Sequence, residues 1–161
     1  MQNEDFIKAC QHADFLLKHS QLLVTSYHHW TGLHLIETTD DVVKSLRDLP
    51  YPVASHNGDR DPLFNYANHQ ALSLFKMTPE EMLSLPSRYS AEPILREARS
   101  EFLHQVSTHG FVDDYSGVRI AKDGAKFLIE RATVWNVINV QSHEYYGQAV
   151  IIWTAHSLLN V

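Results

Sequence analysis

Apolar residues recur every three or four positions through the N-terminal part of the chain. In the C-terminal part they recur every second position. Phe6, Cys10, Ala13 and Leu17 fall on one helical face. Ser20 is a candidate cap for a second short helix through "QLLVTSYHHW", which Gly32 breaks. Thr39 precedes "DDVVKSLRDL", a third helical stretch whose first turn carries two acids, where they favour the helix dipole. Pro50 and Pro52 close the region, because proline cannot continue a helix. Residues 1–49 therefore read as a helical extension that packs on the domain or forms a dimer contact, and residues 50–161 as the main domain.

The main domain opens with two short extended pieces, near 51–56 and 63–67, around an Asn57-Gly58 turn signal. Asn68 is a plausible N-cap for "HQALSLFK", with Ala71, Leu74 and Phe75 inward. Thr78-Pro79-Glu80-Glu81 offers a Thr cap, a Pro at the first helical position and a Glu three residues after the cap, which together make a capping box. Glu92-Pro93 opens a longer helix to His109. Leu95, Ala98, Phe102 and Val106 stripe it, and Gly110 stops it.

After Gly110 the period falls to two, in "FVDDYSGVRIA", "KFLIERATVWNVI" and "YYGQAVIIWTA". Asp123-Gly124 joins the first two as a hairpin. Two early strands cannot make a stable sheet by themselves. The economical solution is α+β: one five-stranded antiparallel sheet with the middle helices on one face. Strict alternation puts Phe127, Ile129, Trp135 and Val137 on one side, and Leu128, Ala132 and Val134 on the other. Both sides are apolar, so both are covered. The N-terminal helices or a partner subunit must supply the second cover.

This element order is that of the PAS fold, and "FNYANHQALSLFKMTPEEM" resembles its most recognisable segment. "VASHNGDRDPLFNYAN", "LPSRYSAEP", "GFVDDYSGVRIAKDGAKFLIERATVWNV" and "YYGQA" together resemble the MEKHLA domain, a PAS-like family. The likeness covers roughly residues 25–155 and includes "SYHHWTG". It implies a PAS-like fold and a sensing or regulatory role. In plants the domain ends class III homeodomain-leucine zipper factors. Elsewhere it occurs as small stand-alone proteins. This sequence contains no homeodomain and no zipper heptads, so it resembles the stand-alone form.

Composition narrows the function classes. The 161 residues are 44% hydrophobic and 20% charged, with a formal net charge of −6. That charge argues against nucleic-acid or anionic-membrane partners, and no apolar run reaches the length of a membrane span. Cys10 is the only cysteine, which excludes an internal disulfide and suggests a reducing, cytoplasmic setting.

A PAS cleft between helices and sheet is where a ligand is held. Light-sensing flavin PAS domains need a reactive Cys on a middle helix, and Cys10 is on the first helix. A flavin–cysteine adduct is therefore not expected. His104 and His109 lie outside the apolar stripe of the long helix, which disfavours haem. Of the eleven histidines, His28, His29 and His34 are the densest group, and no carboxylate or thiol completes that set at ligand spacing, so the histidines read as scattered and solvated, with no metal. His56 or His69, beside the strand-helix joint, could give a pH response. Gln148, on the last strand, sits where a flavin-contacting Gln can occur, and is otherwise an ordinary satisfied polar residue.

Alternation groups Asp113, Tyr115 and Arg119 on one face, and Asp114 and Ser116 on the other. Two readings follow. Asp114 and its neighbours form a buried Asp–Arg network that fixes the strands. Alternatively, Arg88 or Arg119 anchors an anionic ligand while Tyr115 or Trp135 stacks on its apolar body. No nucleophile elbow, phosphate loop or zinc motif is present, so no catalytic residue is assigned. The leading expectation is a sensory module that binds an unidentified small molecule and signals through an unidentified protein, with a homodimer as a further possibility. The alternatives are a ligand-free interaction or dimerisation module, and a small enzyme dependent on Arg119 or Asp114.

Overall fold

A computed structural model of the chain describes residues 3–37, 41–91 and 96–158. The expectations placed on Thr39, Glu92-Pro93 and Leu95 lie outside the described residues, as does the side chain of Ala98. Helices α1 (Glu4–Gln11), α2 (Ala13–Thr31) and α3 (Val42–Arg47) come first. Strands β1 (Val53–His56) and β2 (Phe64–Ala67) follow. Helices α4 (His69–Phe75) and α5 (Pro79–Met82), a 3-10 turn (Ser87–Ser90) and helix α6 (Arg96–His109) form the middle. Strands β3 (Phe111–Ile120), β4 (Lys126–Ile138) and β5 (Tyr145–Ser157) close the chain. The five strands form one antiparallel sheet in the order β2-β1-β5-β4-β3.

The N-terminal helices differ from the sequence expectation. Extended backbone at His12 (ψ 139°) ends α1, and the His12 Nδ1 accepts from the Asp14 N–H to start α2. Ser20 caps nothing. It lies fully buried inside α2, and Leu17 faces solvent. Helix α2 is long because its apolar side has a sheet to bury against, through Leu23, Tyr27 and the half-buried Trp30. Asp41 caps α3, accepting from the Lys44 N–H at 3.0 Å.

Asn68 does more than cap α4. Its Oδ1 accepts from the N–H groups of Ala71 and Val53, at 3.0 and 2.9 Å. Its Nδ2 donates to the carbonyls of Leu46 and Tyr51. One buried amide thus ties α4, β1 and the end of α3 together. Thr78 and Glu81 form the expected capping box at α5. Gly147 (φ 129°) lies so close to β1 that a Cβ there would overlap the His56 carbonyl. Only glycine lets β5 pair with β1 at this point.

Helices α4 to α6 cover one sheet face through Phe75, Met82 and Val106, packed on Phe127, Ile129 and Ala132. Helices α2 and α3 cover the other, through Leu23, Tyr27 and Leu46 on Trp135, Val137 and Ile151. The face assignment from strict alternation therefore fails midway along β4. Ile129 and Ala132 face the same side although they are three positions apart, an odd offset. The register of β4 slips between Ile129 and Ala132 against β5. A β-bulge there inserts one residue and moves every later side chain to the opposite face. Strand β3 slips likewise between Val112 and Tyr115, which puts Asp113 and Tyr115 on opposite faces.

Among the described residues, no helix is long and apolar enough to cross a membrane.

Candidate functional site

A cleft with about 60 Å³ of free space lies between the sheet and α4–α6. Its apolar walls include Ala54, Phe64, Phe75, Phe102, Ile129 and Val150, and its polar wall includes His56, Ser90, Tyr115, Arg119 and Gln148. The 3-10 turn reaches β3 through a backbone bridge between Ala91 and Arg119, which brings Ser90 to the cleft.

Arg119 is the distinctive group. Its guanidinium lies 5.3 Å from the centre of the Tyr115 ring, a cation–π contact. Among the described residues it makes no hydrogen bond or ion pair. Burial pulls its pKa below the ordinary value, and the nearby Tyr115 pulls the other way. Gly117 makes this arrangement possible. A Cβ at 117 would sit 2.7 Å from the Tyr115 hydroxyl, so only the missing side chain lets the phenol lie along the strand. Phe102 of α6 closes on the Tyr115 ring at 4.5 Å between centroids.

Gln148 is buried at the cleft and donates to Asn136 Oδ1 at 3.2 Å. Asn136 in turn donates to the Val106 carbonyl of α6 and accepts the Trp30 indole N–H on its backbone oxygen. A polar chain therefore crosses the sheet from cleft to α2.

Of the expected ligand contacts, Tyr115, Arg119 and Gln148 come together at the cleft. Two do not. Trp135 is fully buried on the opposite face, where its indole donates to Ser26 Oγ at 3.1 Å and meets Tyr27 edge-on. The bulge in β4 is the reason. Arg88 is on the outside of the 3-10 turn, paired with Asp61 at 3.0 Å and stacked on Tyr89. That partner holds its pKa above the usual guanidinium value.

The buried Asp–Arg network is also absent among the described residues. Asp113 and Asp114 are exposed, and no ion pair joins either to Arg119 or Arg131. Asp114 stands at the β3 bulge, outside the cleft. Cys10 packs with Ile7 and Leu83, away from the cleft, and burial raises its thiol pKa to about 11.

Sequence reasoning missed Phe64, Phe75 and Phe102 as cleft walls, since aromatic helix and strand positions read simply as core. It also missed His19. This side chain is buried, stacked on Phe15 at 4.9 Å, with Nε2 2.8 Å from Ser55 Oγ. Ser55 gives its single proton to Asn65 Oδ1 at 2.6 Å, so it accepts from His19. His19 is thus the neutral Nε2–H tautomer, and burial lowers its pKa to about 4. Its spacing was the available signal: Phe15, His19, Leu23 and Tyr27 recur every four residues. Among the described residues, no group of His, Cys, Asp and Glu is placed to hold a metal ion.

Solved structures with similar folds include the PAS domain of a protein from Colwellia psychrerythraea, 15% identical, with a TM-score of 0.59. That match covers 71% of this chain and 92% of the other. A light-oxygen-voltage domain, studied with a flavin analogue, matches at 15% identity and a TM-score of 0.56, over 74% of this chain and 85% of its own. At such identity the likeness establishes the fold alone. No curated protein matches the chain. The MEKHLA domain family model matches residues 17–156, a span that begins within α2 and crosses from the helical extension into the sheet domain. The chain belongs to the MEKHLA domain family and has a PAS-like fold.

Proposed function

We propose that this chain is a non-enzymatic PAS-like sensory module that holds a small molecule in the cleft between the sheet and α4–α6. The observation that carries the reading is Arg119. Arg119 is half-buried, and among the described residues no acceptor meets its guanidinium; a cation kept so at an apolar cleft costs a fold something and has a use there. Occupancy of the cleft reaches Gln148, and Asn136 passes it to Trp30 of α2. The N-terminal helices are then the output surface toward another protein or a second copy of the chain. Native mass spectrometry of the purified protein, with an absorption spectrum of the same sample, tests this. The expected result is a non-covalent small-molecule adduct without flavin or haem bands. A protein of bare sequence mass, whose stability no small molecule alters, would overturn it.

The cleft's small size favours a second reading, a ligand-free interaction module with a filled core. In that case light scattering finds stable self-association or a recovered partner, and closing the cleft with Val150→Phe leaves that association unchanged. Under the sensory reading, Val150→Phe abolishes the ligand response.

A further inference from the structure

Resting on the cleft reading, the geometry points to a ligand class: a short-chain monocarboxylate, bound by Arg119 with its acyl carbons against the aromatic walls.

Four observations converge. First, Arg119 is the only Lys or Arg lining the cleft among the described residues, which there supply one unit of positive charge from Lys and Arg. A dianion such as phosphate would bring a second charge into an apolar pocket without a partner for it. Second, Tyr115 lies toward one side of the guanidinium, and among the described residues no side-chain acceptor occupies its N–H groups. Those donors form a planar fork that a carboxylate fits with two parallel hydrogen bonds. Third, much of the remaining lining is hydrocarbon: Phe64, Phe75, Phe102, Ile129 and Val150. It suits a methyl or methylene tail. Fourth, the free space of about 60 Å³ is room for about four water molecules, and hence for an anion of few heavy atoms. Flavin, haem and long acyl chains exceed it.

Arginine stays charged throughout the physiological range, and a short carboxylate is ionised above about pH 5. The attraction between Arg119 and a carboxylate is therefore constant near neutrality. Ser90 gives its hydroxyl proton to the Ser87 carbonyl at 2.7 Å and Gln148 donates to Asn136, so Arg119 is the group that holds the carboxylate.

The test is isothermal titration with propionate, its neutral isostere propionamide, hexanoate and inorganic phosphate. Thermal unfolding is followed in the same buffers. Propionate is expected to bind and raise the melting temperature, while propionamide, hexanoate and phosphate do neither. Arg119→Met is expected to weaken propionate at least about tenfold, and Arg119→Lys to weaken it less, because it keeps the charge but loses the fork. The ¹³C carboxylate resonance of labelled propionate gives a second readout on wild-type protein, independent of any variant's folding. Equal binding of propionamide, or full binding by a folded Arg119→Met, overturns the class. So does a neutral or larger molecule recovered from the cleft by native mass spectrometry, which leaves the cleft reading standing. If nothing binds and Val150→Phe changes only stability, both readings fall.

Discussion

The indole of Trp30 donates to the backbone carbonyl of Asn136 at 2.9 Å, joining α2 to the middle of the sheet. The same Asn136 holds α6 and Gln148 through its side chain, so this one residue touches the helix layers on both faces and is joined to the cleft through Gln148. Trp30→Phe removes the donor while keeping most of the ring. The expected cost is about 1 kcal/mol. Propionate binding should survive, but the propionate-dependent change in hydrogen exchange of α2 amides should be lost. A wild-type α2 that ignores propionate would show that the chain through Asn136 carries no signal.

His19 gives the protein a defined acid weakness. Its pKa falls from an ordinary 6.5 to about 4 on folding, because burial disfavours the imidazolium. The unfolded chain therefore binds the proton first. The contribution is fully present above about pH 6.5 and is lost as the pH falls toward about 4. One pKa unit corresponds to about 1.4 kcal/mol, so the loss is of order 3 kcal/mol. Urea unfolding of wild type and His19→Gln between these pH values should show the difference. Stability of the variant should fall less steeply, because glutamine keeps a donor for Ser55 without titrating.

Asn68→Ala should be among the most damaging substitutions outside the apolar core. It removes a helix cap and leaves the Val53 N–H and the Tyr51 carbonyl without their Asn68 partner. A lost cap costs about 1 kcal/mol, and buried groups left unpaired add about 1–3 kcal/mol. Denaturant midpoints should report a total near 3 kcal/mol, with amide exchange in β1 accelerated first.

Cys10 should resist modification. With a thiol pKa of about 11 and little exposure, it carries almost no thiolate at neutral pH. Iodoacetamide at pH 8 should leave the native protein unlabelled for hours and label it promptly in urea. Rapid native labelling would mean that α1 leaves the core formed by Ile7, Cys10 and Leu83.

Much of this fold was legible because its signals are local. The Asn68 cap, the Thr78–Glu81 capping box and the Asp123-Gly124 turn each depend on residues within one turn of chain. The sheet and its two covering layers followed from strand count and from apolar residues on both strand faces. What local pattern could not show was the parity change inside the long strands. A bulge is decided by cross-strand register, and nothing in "IERAT" marks the extra residue. Trp135 was therefore placed in the cleft when it belongs under α2, and Asp113 was grouped with Tyr115 when it lies on the other face. For the same reason one of the two readings gave Arg119 an aspartate partner. The β3 bulge turns both aspartates out to solvent and leaves the arginine at the cleft.

That last consequence separates a ligand-binding arginine from a structural one. The most direct measurement is denaturant unfolding of ligand-free wild type beside Arg119→Met. If Arg119 serves a ligand, methionine fills the space with hydrocarbon and removes a half-buried charge. The variant should then be more stable, by about 1–2 kcal/mol, while propionate no longer shifts its midpoint. If Arg119 instead anchors a buried ionic network, losing it would cost about 3–5 kcal/mol, and that result would contradict the account.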